Sequence, residues 1–280
     1  MEQSKGSVIF RWKEEDFEAL LRSCWNAPEM PYILKYMPKD GKIIEAGCGL
    51  GRFVIHLTEM GYDIEGIEIN QEAVEAVKQR RPDIQILTGD VARLPYPDNS
   101  ISGIISLGVV EHFIDGPLLP LKEFWRVLKP GCCAIISVPS LNYLRQFKHL
   151  TGYYALKERL KRSAFIRRLF GKKPLRPFEK RNWKYYPYFL SGEFFEYRLT
   201  KKEFEQELAQ AGFEIVESVP IAYMDGLYHE FGKIFVSFRN WEFHPNLFGR
   251  LLLKWLPKIP FLIVITYHKG HKVLTKDTKR

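Results

Sequence analysis

The sequence is short of cysteine, and the little it has follows no metal-binding pattern. Its four cysteines, Cys24, Cys48, Cys132 and Cys133, contain no CxxC pair and no Cys/His cluster at zinc spacing. Adjacent Cys132 and Cys133 fall on opposite faces of a strand, so the expectation is reduced structural thiols and no metal site. Long apolar runs are lacking too. The longest, Leu247–Ile265, is interrupted by Arg250, Lys254, Pro257, Lys258 and Pro260, which argues against a membrane span. The opening stretch MEQSKGSVIF has no apolar core of the kind a secretory leader carries, so a cytoplasmic protein is expected. Internal repeats are absent. One segment lacks acid: residues 142–184 hold fourteen Lys/Arg against Glu158 and Glu179, net +12, whereas the whole chain is +9. The remainder is therefore mildly acidic, and the asymmetry points to an anionic partner for that one segment.

What is present is an alternation of short apolar runs with amphipathic stretches. Residues 11–37 read as helical, followed by strands at 42–46, 64–69, 84–88, 101–107 and 134–138, with helices at 52–60, 71–80 and 118–128 between them. Asn70 is the expected N-cap of the 71–80 helix. Strands alternating with helices predict a parallel sheet covered on both faces. The pattern breaks over 140–198, which is basic, aromatic and punctuated by Pro174, Pro177 and Pro187, with helical pieces and no evident strand. It resumes with helix 201–211, where Thr200 and Glu203 fit a capping box, and strand 213–219. A second irregular aromatic segment, 221–258, precedes a last strand at 261–267. The organisation expected is an N-terminal helical lid (1–40), an α/β core (41–139), a basic aromatic insertion (140–198), a C-terminal completion of the sheet (199–270) containing a second lid (221–258), and a polar tail (271–280).

The residues that carry chemistry stand at the strand ends. Glu45-Ala46-Gly47-Cys48-Gly49-Leu50-Gly51 follows a strand and opens a helix, so its glycines let the backbone turn sharply and approach a ligand closely. Its G-x-G-x-G spacing differs from the G-x-G-x-x-G of dinucleotide sites. Glu68, with Ile69 after it, ends the next strand and can accept hydrogen bonds from two ribose hydroxyls. Asp90 and Val91 end the third, placed for an exocyclic amine and an adenine edge. These strand ends are where open α/β sheets bind ligands. His112 is a candidate general base for a hydroxyl acceptor, with packing or positioning as the alternative role. Arg52, at the helix start, is a candidate contact for a ligand carboxylate.

The run from about Ile43 to Pro139 resembles the class I S-adenosylmethionine-dependent methyltransferases, in particular the ubiquinone/menaquinone methyltransferase-like group. Glu45–Gly51 matches that family's first motif, Glu68 its ribose acid and Asp90 its adenine-side acid. Leu107-Gly108-Val109-Val110-Glu111-His112 resembles the segment under the methionine portion. Trp125-Arg126-Val127-Leu128-Lys129-Pro130-Gly131 resembles the turn into strand five. The resemblance implies a doubly wound, mostly parallel seven-stranded α/β sheet of Rossmann-like type, with a helical basic insertion after strand five. It also implies S-adenosylmethionine as cofactor, bound by Glu45, Gly47, Cys48, Gly49, Gly51, Glu68, Ile69, Asp90, Val91 and Leu107. The sequence departs from the family at Gly103, where Asp is frequent, and at Cys132, where a second glycine is common.

The acceptor is expected to be a small or lipid-like molecule, with an oxygen as the candidate nucleophile, in a pocket built from Trp12, Trp25 and the aromatics of 140–198 and 221–258. The basic segment, with Leu156, Leu160 and Phe170 among its charges, is read as an interfacial helix or lid on an anionic membrane surface, giving peripheral attachment. Two alternatives compete. One is an RNA methyltransferase gripping phosphates with the insertion, although no RNA-binding module and no Asn-Pro-Pro-Tyr or Asp-Pro-Pro-Tyr motif is present. The other is a non-catalytic binding module on the same fold.

Overall fold

The computed structural model describes residues 17–171, 181–190, 193–239, 242–255 and 261–268. In chain order its elements are α1 (Phe17–Ser23), α2 (Met30–Tyr36), β1 (Ile43–Ala46), α3 (Arg52–Glu59), β2 (Ile64–Glu68), α4 (Gln71–Arg80), β3 (Ile86–Thr88), β4 (Ile101–Leu107), α5 (Leu118–Val127) and β5 (Leu128–Pro139). There follow α6 (Tyr143–Leu150), α7 (Tyr153–Arg162), α8 (Ala164–Leu169), β6 (Tyr186–Leu190), β7 (Glu193–Arg198), α9 (Lys201–Ala211), β8 (Phe213–Ile221), α10 (Tyr223–Phe231), β9 (Val236–Arg239), β10 (Glu242–Pro245), α11 (Leu247–Trp255) and β11 (Phe261–His268).

The main sheet runs β3-β2-β1-β4-β5-β11-β8. The first five strands pair in parallel, whereas β11 lies antiparallel between β5 and β8. Every residue of β1 and β2 is buried, as a sheet covered on both faces requires. Two cores result. Phe53, Leu57 and Val77 from α3 and α4 join Ile33 on one face, while Phe124, Phe204 and Leu208 from α5 and α9 fill the other. The caps form as the sequence predicts. The side chain of Asn70 accepts from the Glu72 and Ala73 amides, and Thr200 and Glu203 complete a reciprocal capping box. Gly103 has a packing reason: a Cβ there would come within 2.8 Å of Met37 Sδ and 3.2 Å of Pro38 Cδ, which leaves no room for aspartate.

Several expectations are corrected. The helical reading of 11–37 resolves, over its described part, into α1, a 3-10 turn at Cys24–Asn26 and α2, because Pro28 cannot continue a helical ladder. The insertion does contain strands. β6 and β7 form an antiparallel hairpin, with Pro187 tolerated because the ribbon has only two strands and every strand is an edge. The third strand is shorter than expected, β5 begins six residues earlier at Leu128, and β8 runs through Pro220 to Ile221. The second irregular segment is built of α10, the β9–β10 hairpin and α11. No helix among the described residues is long and apolar enough to cross a membrane. Trp12, Trp241 and the tail 271–280 lie outside the described residues.

The insertion after β5 and the segment after β8 are joined through one buried charge network. Glu230 of α10 accepts from Arg145 Nε (2.6 Å) and Lys148 Nζ (2.8 Å) of α6 and from the Tyr154 hydroxyl (3.0 Å). Arg145 also donates to the Ser140 carbonyl, at 2.7 Å, where the insertion leaves β5. Burial alone would raise the Glu230 carboxyl, but Arg145 and Lys148 outweigh it and hold the pKa down to about 2. The carboxylate therefore contributes stability above the ordinary carboxylate range and loses it as pH falls from about 4.5 toward 2. Replacing Glu230 with Ala strands a buried guanidinium, which is expected to cost about 3–5 kcal/mol. Amide hydrogen exchange should show α6 and α10 losing protection together, with β1–β4 unaffected. Protection unchanged in α6 would show that the network does not join the two segments.

Candidate functional site

The parallel pairing carries β1, β2, β3 and β4 to one edge, with Ala46 level with Ile67 and Glu68 level with Thr88. The glycine turn begins there. Gly47, Gly49 and Gly51 have φ of +81°, +55° and +69°, left-handed values that other residues adopt only under strain. A Cβ on Gly47 would also run into the Val109 side chain, so the turn can lie against the segment after β4 only with glycine. The Gly47 and Cys48 amides both donate to the Ile67 carbonyl, at 2.7 and 3.1 Å, which fixes the turn on β2.

Glu68, buried, accepts from the Gly49 amide through Oε2 (2.7 Å) and from the Asn70 amide through Oε1 (2.9 Å). Its carboxylate is thereby held against the turn. Ile69 beside it is half-buried. Asp90 is half-buried and accepts from the Ala92 amide at 2.9 Å, and Val91 is in the core. Glu45 is buried and accepts from the Val54 amide at 3.2 Å, tying β1 to the first turn of α3. Burial raises its carboxyl to about 8, against the lowering influence of Arg52 and the Val54 amide. The Cys48 thiol, also pushed far up by burial, stays protonated and serves as packing: a Cβ on Gly66 would come 2.7 Å from its sulfur.

Beside the turn opens a cavity of about 1010 Å³. Leu107 and Gly108 after β4, Ser137 of β5, Arg52 of α3, Tyr223 of α10 and Phe243 of β10 are among its walls. Glu68 and Asp90 are not, so the cavity continues from the β4 side of the turn and not from the ribose side. Glu29 also lines it. Its Oε2 is shielded and has no hydrogen-bond partner, and burial raises its carboxyl despite the nearby Arg52 charge. Arg52 itself lies 3.5 Å from Ser23 Oγ and over the Phe53 ring.

His112 lies in a 3-10 turn beyond β4, buried and outside the cavity walls. Its Nδ1 is 2.6 Å from the Phe195 carbonyl, and its ring meets Phe195 edge-on. Burial lowers its pKa, so it is neutral near pH 7 and Nδ1 donates to that carbonyl. With Glu111 and Glu196 it forms a compact group whose potential ligand atoms lie within 4.8 Å of one another. Burial and the Glu196 charge raise Glu111 well above the carboxylate range. Neither Glu29 nor Glu196 was legible as a site residue. Glu29 sits in a proline-flanked turn without period, and Glu196 comes from a hairpin 84 positions after His112.

The residues at the turn fit the cofactor that the motifs imply. The glycine backbone at 47, 49 and 51 puts no side chain of its own between the turn and a ligand, and the acids at 68 and 90, with Glu45 when ionised, are acceptors for amine and hydroxyl groups. A family described as "Methyltransferase domain" matches residues 44–136. A probable S-adenosylmethionine-dependent methyltransferase of Mycolicibacterium smegmatis is 32% identical over 98 residues, covering 35% of this chain and 38% of that protein. The demethylmenaquinone methyltransferase of Staphylococcus epidermidis is 29% identical over 151 residues, covering 52% and 59%. A crystal structure of an S-adenosylmethionine-dependent methyltransferase from Methanosarcina mazei shares the fold, with TM-score 0.53 and 21% identity over 86% of this chain and 98% of that one. The chain spans between 35% and 59% of the length of the curated relatives it matches. Turn, strand-end acids and these likenesses converge: residues 44–136 match a methyltransferase domain family, and the cofactor these likenesses indicate is S-adenosylmethionine.

Proposed function

We propose that this chain transfers a methyl group to an oxygen of a small, lipid-like acceptor, and that its basic segment brings it to an anionic membrane surface. The observation that carries the acceptor reading is the cavity of about 1010 Å³, walled in part by Leu107, Tyr223 and Phe243 and lined by Glu29, whose Oε2 has no hydrogen-bond partner. When bound, S-adenosylmethionine supplies an electrophilic methyl group on a sulfonium. In this reading Glu68 accepts the ribose hydroxyls, Asp90 the adenine side, and Glu45 with the turn receives the ligand ammonium. Leu107 and Gly108 bound the methionine portion. Glu29, raised but titratable, accepts the hydroxyl proton of the acceptor. His112, tied to the Phe195 carbonyl, acts as a positioning residue that sets the lid hairpin against the segment after β4. Alignment of acceptor and methyl carbon supplies most of the rate in such a transfer, which suits a half-open pocket whose apolar walls can orient the acceptor and whose polar groups can hold its reacting end.

Incubating the protein with methyl-labelled S-adenosylmethionine and either total lipid extract or total RNA tests the acceptor class. Label is expected in the organic phase, with Glu29→Gln lowering incorporation on the order of 10²-fold while S-adenosylhomocysteine affinity is kept. Label in RNA alone would install the nucleic-acid alternative, and label in neither the non-catalytic one.

Two binding predictions test the cofactor half. Glu68→Ala is expected to weaken S-adenosylhomocysteine by about 1.5–3 kcal/mol in calorimetry, the worth of hydrogen bonds to a charged acceptor. Unchanged affinity would remove Glu68 from the ribose site. Glu45, with a pKa near 8 in the free protein, is largely protonated at pH 7. An ammonium arriving beside it favours the carboxylate, so binding should release a proton and tighten as pH rises from 6 to 7.5. Calorimetry in buffers of different ionisation enthalpy should detect that release, and Glu45→Gln should abolish it. Equal proton release in the variant would clear Glu45 of the amine contact.

A further inference from the structure

Two helices from distant parts of the chain present apolar faces to solvent while their other faces share one small core. In α6, Tyr143, Phe147 and Leu150 recur at i, i+4 and i+7, and Tyr143 and Leu150 are 90% and 85% exposed. Its opposite face carries Leu144, Arg145 and Lys148 inward. In α11, Leu247, Phe248 and Leu251 are exposed, the first two by 70% and 68%. Leu252 packs inward against the same cluster that Leu144 joins, around Leu227 and Val236. Solvated amphipathic helices normally turn their polar face to water, and these two do the reverse.

We infer that α6 and α11 together form a docking face that inserts its exposed apolar side chains among the headgroups of an anionic lipid bilayer. The inference rests on the lipid-like acceptor reading and deepens it by naming the surface. Charge selects the occupant. Residues 142–171 hold eight Lys/Arg against the single acid Glu158; Arg145 and Lys148 are turned inward to Glu230, which leaves six, and α11 carries Arg250 and Lys254 with no acid. A second copy of this chain meeting the same face across a two-fold axis would set cation against cation. Exposed leucines beside phenylalanine and tyrosine, in segments that also carry exposed Lys157, Arg159, Arg168, Arg250 and Lys254, match an interfacial membrane helix, whereas nucleic acid offers those leucines nothing to bury against. The face is also joined to the cavity. Phe243 belongs to the cluster beneath α6 and α11 and lines the cavity, and Tyr223 to Asp225, at the start of α10, form another part of that wall. A bilayer holding the face would thus lie against the element that bounds the acceptor's side of the pocket.

The full-length protein, sedimented with vesicles of phosphatidylcholine and phosphatidylserine in a 7:3 ratio, is expected to bind at least tenfold more tightly than to phosphatidylcholine alone. Two triple variants probe the face: Tyr143→Ser with Phe147→Ser and Leu150→Ser, and Leu247→Ser with Phe248→Ser and Leu251→Ser. Each should lose at least tenfold in vesicle affinity while binding S-adenosylhomocysteine within twofold of the parent, which also reports an intact core. Replacing the exposed Lys157, Arg159 and Arg168 with Gln should erase the preference for anionic vesicles and its salt sensitivity. Parent and apolar variants sedimenting alike would overturn the proposal, as would binding of the parent to poly(U) but not to vesicles, or its dimerisation lost in the apolar variants. Loss of S-adenosylhomocysteine binding by the parent would instead strike the methyl-transfer reading, which vesicle sedimentation does not report.

Discussion

The close approach of the Gly47–Gly51 turn to the segment after β4 is the constraint on which the site depends. Gly47 has no room for a side chain against Val109, and its amide reaches back to the Ile67 carbonyl of β2. Three strands are therefore referenced to one short loop. Glu68 closes the arrangement by accepting from Gly49, and Glu45 fixes the first turn of α3 from beneath. A side chain at Gly47 would separate the turn from Val109, and with it the two halves of the ligand site.

A second buried interaction governs what surrounds that loop. Glu230 gathers Arg145, Lys148 and Tyr154, so the insertion after β5 and the segment after β8 behave as one covering. Ion pairs of this kind add little over a well-packed apolar alternative but are costly to break from one side. Here the network turns Arg145 and Lys148 of α6 toward α10 and leaves Tyr143, Phe147 and Leu150 on the outward face.

The parts of this architecture legible in the sequence are those that a parallel sheet makes repetitive. Glu45, Glu68 and Asp90 were recoverable because each stands at or just beyond the carboxyl end of a successive strand, and parallel order brings such ends to one edge. Asn70 and Thr200 announced helix starts through short-range hydrogen bonds that depend on neighbours alone. The hairpin β6–β7 was missed because Pro187 reads as a strand breaker, and only its place in a two-stranded ribbon excuses it. Glu29 and Glu196 gave no signal, since their meaning arises from contacts across the fold and not from spacing. The basic segment was readable as charge, but the pairing of α6 with α11 was not. It follows from a shared cluster between residues about a hundred positions apart.

The place of β11 has a consequence for biogenesis. It enters between β5 and β8, where Thr266 meets Ala134 across 132 positions of sequence. Until residue 268 has left the ribosome, β5 offers an open parallel-sheet edge and β8 has no neighbour. Both are apolar and β-prone, the condition under which nascent chains pair with one another. The exposed helices α6–α8 emerge long before that edge is closed. Synthesis near a chaperone would shield the half-built sheet during the interval in which it is most prone to aggregate.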